Sequence, residues 1–296
     1  MKKSFAVFVF LVTIFEVKGQ SNSFPQEPFN AKFVTSDIEN FWIAFDSIDI
    51  SKNNPFNRYI KNGTKGLQGF IPSRIMSADS LLNMVKRRKD DYEKMRNIES
   101  PIKVKEKETL PYFYALEYWY PYAVYPPVYF VFGRFNSGGT TSEEGLLIGV
   151  EMLTDLDGLP ELVIHESIHF QQKWPEDGNT TLLQQSILEG SADFIAELVT
   201  GKHGNSNANS YGNKNKEALC EEFVLLMNGT NMKDWLYQTS GKDKRPNDLG
   251  YWIGYEIVKA YFDKAQDKKL AVNHILNIDD YSRFLRESGY LNKYMN

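Results

Sequence analysis

The sequence has little of several residue types, and each scarcity excludes a class of protein. A single cysteine, Cys220, excludes an intramolecular disulfide and every zinc module built on several cysteines. There are 34 basic and 38 acidic residues, with a formal net charge of -4, so no basic surface for nucleic acid is expected. The 42% hydrophobic and 24% charged residues are typical of a folded globular chain and exclude wholesale disorder.

The one long apolar run of the sequence lies at its beginning. Lys2 and Lys3 precede an apolar stretch over residues 5–15, and Gly19 offers a cleavage site. This pattern is typical of a secretory signal peptide, and the apolar stretch is too short to span a membrane comfortably. We therefore expect residues 1–19 to be removed on export. The product is then expected to be secreted or periplasmic, with no stable transmembrane segment.

The rest of the chain predicts an α+β fold, mostly helical, with a small antiparallel or mixed sheet. Residues 128–135 and 145–152 read as strands, and the Asn-Ser-Gly-Gly turn at 136–139 predicts that they form a hairpin. Residues 201–215 are rich in Asn, Gly and Ser and predict a loop. Apolar periodicity and capping residues predict helices at about 77–95, 112–119, 160–173, 181–200, 214–228 and 249–264.

The most informative residues are His165-Glu166-Ser167-Ile168-His169, inside the helix predicted at 160–173. Two histidines four residues apart share one helix face, with Cβ atoms about 5–6 Å apart. Both rings can therefore reach one zinc ion at about 2.0–2.1 Å. Glu166 projects beside that ion, where a carboxylate can take a proton from the attacking water. The alternative interpretation is a pair of partly exposed helix histidines.

Zinc requires a third protein ligand, and the next predicted helix offers carboxylates. Glu189 and Asp193 are four residues apart and so lie on one helix face. Gly190 between them predicts that the backbone packs closely against another helix. We take Glu189 as the third zinc ligand and Glu197 as the weaker substitute.

The spacing of His165, Glu166, His169, Glu189 and Asp193 resembles that of the gluzincin metallopeptidases of the thermolysin type. The resemblance covers about residues 128–200 and implies a zincin-like fold. It implies that both histidines and Glu189 bind Zn²⁺, that Glu166 activates water, and that Asp193 holds a ligand histidine, most naturally His165. The wider chain is similar to small predicted zinc-protease families of bacterial envelopes.

The resemblance also shapes the expected organisation of the chain. After the signal peptide, residues 20–296 are expected to form a single gluzincin-like domain. Its mainly helical N-terminal part covers residues 20–127. The hairpin and the zinc-binding helices follow at 128–200, and a helical C-terminal part covers 201–296. Zinc proteases of this type often pair an extended substrate with an edge strand, and Gly138-Gly139-Thr140 could approach a substrate backbone closely.

The sequence offers several candidates for the residue that donates to the oxyanion formed during hydrolysis. Gluzincins commonly supply it from a Tyr or His in the later helical part, and Tyr251 is the preferred residue here. His203 and His274 are the alternatives, and Tyr251 as an ordinary core tyrosine is a further one. Asp248 is expected to cap the helix that carries Tyr251.

Three functions stay open at this point. The first is an exported zinc metallopeptidase acting on a peptide or protein substrate, with no nucleic-acid partner. The second is a zinc-binding, gluzincin-like protein of envelope assembly with little or no peptidase turnover. The third is a binding module without metal. An intact Glu166 favours the first, because a structural zinc site needs no base. The sequence leaves the oligomeric state open.

Overall fold

A computed structural model describes residues 24–175, 178–237 and 245–295. The predicted signal peptide lies outside these residues. Within them the protein is mostly helical with one small mixed sheet, which confirms the α+β class. The helices are α1 (Ser36–Asp46), α2 (Phe56–Asn62), α3 (Lys65–Phe70), α4 (Ala78–Arg87), α5 (Lys89–Glu93), α6 (Glu99–Trp119), α7 (Leu159–Gln171), α8 (Leu182–Thr200), α9 (Ser206–Lys214), α10 (Lys216–Leu226), α11 (Leu249–Lys264), α12 (Lys268–Leu276) and α13 (Tyr281–Ser288). Across these described residues, no helix combines the length and the apolarity needed to cross a membrane.

The sheet has four strands in the order β1-β2-β4-β3. The strands are β1 (Phe33–Val34), β2 (Val128–Val131), β3 (Gly139–Ser142) and β4 (Gly145–Gly149). Strands β1, β2 and β4 run parallel, and β3 runs antiparallel to β4 at one edge. The predicted hairpin between residues 128–135 and 145–152 is therefore wrong. The hairpin joins β3 to β4, with its turn between Ser142 and Gly145.

A buried carboxylate explains why the chain does not turn back directly after β2. Glu151 accepts hydrogen bonds from the backbone amides of Gly133, at 2.8 Å, and Phe135, at 3.1 Å. Both amides belong to the predicted strand 128–135, but they lie after the end of β2 at Val131, where the chain forms a loop. Because the carboxylate takes both donors, residues 133–138 form a connection to a separate edge strand instead of continuing a ladder.

Two predicted helices and one predicted loop also need correction. The segment predicted as a loop, 201–215, contains α9. The helix predicted over 77–95 is broken at Arg88, whose backbone leaves the helical conformation with φ -125°. The short helix predicted at 112–119 is the end of the 21-residue α6. The helix predicted at 249–264 is confirmed by α11, and those predicted at 160–173, 181–200 and 214–228 correspond to α7, α8 and α10.

The chain divides into two compact units, the first comprising Met1–Tyr114 and Val124–Glu166. Its described part contains the whole sheet and an aromatic core. Phe41 stacks on Phe132 with ring centroids 4.0 Å apart. Tyr59 and Tyr92 donate their hydroxyls to the carbonyls of Phe132 and Gly133. These contacts anchor the chain that leaves β2 and leads to β3.

The second unit comprises Ala115–Ala123 and Ser167–Asn296, and α8 and α11 form its centre. A Cβ atom on Gly190 would lie 2.1 Å from the carbonyl carbon of Gly254. One on Gly254 would lie 1.7 Å from the carbonyl oxygen of Ser186. The prediction that Gly190 packs closely against another helix is confirmed, and Gly254 is the residue of α11 that it meets. This contact buries Glu189 in the middle of α8. The single domain predicted over 20–296 stays a prediction.

Candidate metal centre

Helix α7 places two histidines on one buried face. It begins directly after Gly158, carries Pro160 at a favoured early position and ends before the Trp174-Pro175 pair. His165 and His169 are 8% and 7% exposed, so the interpretation as two partly exposed helix histidines is wrong. Burial of two imidazoles four residues apart requires a polar partner for their ring nitrogens.

Helix α8 supplies that partner through Glu189. The predicted capping box is confirmed, since Thr181 accepts from the amide of Gln184 while the Gln184 side chain accepts from the amide of Thr181. The helix ends at Gly201, whose left-handed backbone has φ 71°. Glu189 lies midway between these ends and is 1% exposed.

His165, His169 and Glu189 each direct one ligand atom to a common place. The three atoms all lie within 4.8 Å of one another. No other group of three or more His, Cys, Asp or Glu donors this compact occurs among residues 24–175, 178–237 and 245–295. The Nε2 atom of His169 and the Oε2 atom of Glu189 are 3.3 Å apart. Two ligands of a tetrahedral zinc ion are separated by roughly 3.3 Å, so this pair fits zinc.

Gln172 sets the orientation of the His169 ring. Its Nε2 donates to the carbonyl of Leu188 at 2.7 Å, which identifies its Oε1 as the atom 2.7 Å from His169 Nδ1. Nδ1 therefore carries the proton and donates it, and Nε2 presents its lone pair on the side of Glu189. No sequence motif pointed to Gln172, although its position three residues after His169 places both on one helix face.

The carboxylate of Glu189 has further partners that no sequence motif indicated. Its Oε1 atom accepts hydrogen bonds from Gln185 Nε2 at 3.0 Å and from the Tyr237 hydroxyl at 2.9 Å. Burial and then the charge of Glu189 raise the pKa of Tyr237 well above its ordinary value, so the phenol keeps its proton and donates it. Gln185 precedes Glu189 by one helical turn, which is a signal that spacing alone could have supplied. Tyr237 is distant in the chain and carries no such signal.

Glu166 lies beside the histidines and against the edge strand. It is buried, and a Cβ atom on Gly139 of β3 would lie 2.4 Å from its Oε1 atom. The buried guanidinium of Arg74 interacts electrostatically with Glu166. Burial lowers the pKa of Arg74, and the negative charge of Glu166 opposes that shift. The structure thus places an acidic side chain, the backbone of β3 and a buried cation together.

The remaining predicted residues fall into separate surroundings. Asp193 is buried one turn after Glu189, and its hydrogen bond to His165 stays a prediction. Glu197, the substitute ligand, accepts from the Tyr255 hydroxyl at 2.8 Å and pairs with His203, so it serves another cluster. His274 contacts the Tyr261 hydroxyl at 2.9 Å. Neither of these histidines joins the compact donor group.

Tyr251 and Asp248 lie at the start of α11. Tyr251 is buried, and its pKa is raised well above the ordinary value, first by burial and then by the charge of Glu189. Its role as oxyanion donor stays a prediction. Asp248 does not cap α11 as predicted. Its Oδ1 atom accepts the backbone amide of Tyr237 at 3.0 Å instead. Burial raises the pKa of Asp248 to about 7.

Comparison with known proteins points to the same chemistry. Residues 134–280 match the model of a family described as predicted Zn-dependent protease (DUF2268). The search of curated proteins found no match, and neither did the search of solved structures. The matched region contains Glu166 and all three donors of the buried group. Together, the family match and the donor set identify the cofactor as zinc. The chain is thus similar, over roughly half its length, to predicted zinc-dependent proteases, enzymes that act on peptides or proteins.

Proposed function

We propose that this chain is an exported zinc-dependent peptidase in which His165, His169 and Glu189 hold zinc and Glu166 is the general base. The observation that carries the proposal is the buried group of three ligand atoms within 4.8 Å, with Glu166 as the neighbour of its first histidine. A zinc site with a purely structural role needs only the metal ligands. Glu166 adds an acidic side chain at the position where hydrolysis needs a proton acceptor.

The division of labour follows from the chemistry of each group. Zinc, when bound, polarises the peptide carbonyl and makes water a stronger nucleophile near neutral pH. Glu166 accepts the proton of the attacking water and later delivers it to the leaving amine. The buried guanidinium of Arg74 interacts electrostatically with Glu166 and supplies a positive charge near the proposed base. Tyr251 is the proposed donor to the oxyanion.

Strand β3 is the proposed docking edge for the substrate. It pairs with β4 alone among the described strands, and its Gly139 touches Glu166. An extended peptide that adds to this edge would bring its carbonyl groups along the strand toward the base. Glycine at position 139 leaves the space that Glu166 occupies.

Export is proposed from the sequence of residues 1–19. The basic pair at Lys2 and Lys3 followed by the apolar run 5–15 supports it. Expression of the full chain in a bacterium with fractionation of the cells tests this part. Recovery of a shortened product outside the cytoplasm, with an N terminus near residue 20, is the expected result. An unprocessed cytoplasmic product contradicts it.

Two glutamate variants separate the base from the ligand. Glu166→Gln keeps the shape of the side chain but removes the proton acceptor, so peptide cleavage should fall by at least about a hundredfold while zinc content stays unchanged. Glu189→Gln should lose zinc and activity together, because it removes an anionic ligand. Glu197→Gln, on the same helix, is the matched control and should retain both.

The measurements are metal analysis of the purified protein and digestion of a broad peptide library. Three results together contradict the peptidase proposal. The wild-type protein holds zinc, it cleaves nothing in the library, and the Glu166→Gln variant fully complements a deletion strain. The zinc-binding assembly role then replaces it.

A further inference from the structure

The two oxygens of the Glu189 carboxylate have different surroundings. Oε2 lies 3.3 Å from His169 Nε2, on the side of the metal group. Oε1 accepts two hydrogen bonds, from Gln185 Nε2 at 3.0 Å and from the Tyr237 hydroxyl at 2.9 Å. A carboxylate oxygen with two donors in place has little remaining capacity for a metal ion. The asymmetry therefore distinguishes one oxygen for zinc and one for the protein.

The placement of Tyr237 shows that this arrangement is held by the surrounding chain. Tyr237 has φ 64°, a left-handed backbone conformation that is rare for a bulky residue. Its backbone amide donates to Asp248 Oδ1 at 3.0 Å, and Asp248 itself has φ 67°. A left-handed conformation at a bulky residue persists only where the surrounding contacts compensate for it. In this conformation the Tyr237 hydroxyl donates to Glu189.

Gln185 provides the second donor from a rigid position. It lies one turn before Glu189 on α8, and both side chains are buried. The i,i+4 spacing brings the amide to the carboxylate without any bend in the helix. The donors thus come from two parts of the chain, one local and one 48 residues away, and Gln185 also hydrogen-bonds Tyr237.

We propose that Gln185 and Tyr237 are positioning residues that occupy Oε1 of Glu189, so that Glu189 binds zinc through Oε2 alone. This inference rests on the proposed role of Glu189 as a zinc ligand. Hydrogen bonds to a ligating carboxylate orient it before the metal arrives, and their loss typically weakens metal binding by about 10- to 100-fold. The hydroxyl of Tyr237 and the amide of Gln185 thereby contribute to metal affinity without touching the metal.

Zinc affinity of the full mature chain, measured by competition with a chromophoric chelator, tests the proposal. Tyr237→Phe removes the hydroxyl, which contacts Glu189 and Gln185, and keeps the ring, so zinc binding should weaken by about 10- to 100-fold. Gln185→Leu removes the other donor and should have an effect of the same size. Tyr255→Phe is the matched control, because its hydroxyl donates to Glu197, a carboxylate outside the metal group, at 2.8 Å. It should leave zinc affinity unchanged.

Two further readouts separate positioning from general support of the fold. The urea midpoint of the metal-free protein is measured for each variant, since a merely structural residue lowers that midpoint and leaves zinc affinity alone. The visible absorption of the cobalt(II)-substituted protein reports ligand geometry and should change in Tyr237→Phe but not in Tyr255→Phe. Unchanged zinc affinity in both Tyr237→Phe and Gln185→Leu overturns the inference.

The experiments distinguish failure of the proposed peptidase activity from failure of the positioning role of Gln185 and Tyr237. If wild type cleaves no peptide but Tyr237→Phe binds zinc more weakly, the inference stands and the peptidase proposal fails. If wild type cleaves peptides and loses zinc on Glu189→Gln, while Tyr237→Phe and Gln185→Leu bind zinc normally, the peptidase stands and the inference fails. Normal zinc affinity in Glu189→Gln overturns the ligand assignment and the inference together.

Discussion

Replacement of Gly139 by alanine perturbs the proposed base with a single methyl group. The new Cβ atom would lie 2.4 Å from Oε1, 2.6 Å from Cδ and 2.8 Å from Cγ of Glu166. Real Cβ contacts essentially never fall below 3.0 Å, and ordinary contact begins at 3.4 Å. The Oε1 atom must therefore move by about 1 Å, which brings it to the ordinary van der Waals distance. Because Glu166 is buried, it can move only by leaving its place beside the histidines.

The expected effect on catalysis follows from that displacement. A misplacement of about 1 Å at a reacting group can lower the rate about a hundredfold. This corresponds to about 2.7 kcal/mol of lost transition-state stabilisation. We expect kcat to fall by this amount while zinc content stays at the wild-type level, because Glu166 is not one of the proposed zinc ligands. If β3 moves instead of Glu166, substrate docking weakens and KM rises. A change in kcat therefore indicates that Glu166 has moved, and a change in KM indicates that β3 has moved.

Steady-state kinetics on a cleaved peptide, with zinc content and Tm determined on the same samples, provide the assay. Gly158→Ala is the control, since a Cβ atom there meets nothing within 4 Å. It precedes α7 and introduces the same chemical change without the contact. A folded, zinc-loaded Gly139→Ala protein with wild-type kcat and KM would refute both the contact and the role given to Glu166.

Two other predictions concern stability. Gly254→Ala should lower the free energy of unfolding by about 3 kcal/mol in urea denaturation, because its Cβ would lie 1.7 Å from the carbonyl oxygen of Ser186. A loss no larger than that of Gly158→Ala contradicts the packing. Burial raises the pKa of Glu151 from 4.5 to about 7 against the opposing amides of Gly133 and Phe135, so its folded form holds the proton more tightly than the unfolded chain. Its contribution is therefore fully present below pH 4.5 and lost as pH rises through 7, a fall of about 3 kcal/mol that Glu151→Gln should abolish in urea titrations across this range. An equal fall in wild type and Glu151→Gln would contradict this assignment.

Local sequence signals predicted the helical half of the site well. The i,i+4 spacing places His165 and His169 on one face in any helix, and the capping box at Thr181 defines the start of α8 through neighbouring residues alone. The glycine at 190 indicated a close helix contact because no other residue leaves that space. The first two of these inferences depend on atoms within one or two turns, where the sequence order already determines the distance.

Strand pairing was beyond the reach of the same signals. The Gly-rich turn at 136–139 favoured a hairpin with β2, yet β4 pairs with β2 in parallel and the edge strand β3 begins within that turn. The decisive interaction is the capture of the Gly133 and Phe135 amides by Glu151, which is specified only once β4 is in place. A turn propensity of modest energy is overridden when a buried carboxylate needs donors.

The sequence by itself was enough to predict zinc, since His-Glu-x-x-His with a later glutamate supplies the three donors that the structure brings together. Only the tertiary structure decided how those groups are held. Tyr237 reaches Glu189 from 48 residues away, and Gly139 of β3 meets Glu166 across 27 positions. Helical periodicity acts over a few residues, whereas these contacts depend on where separate elements pack. Donor identity is therefore a local property of the chain, and donor orientation is a property of the fold.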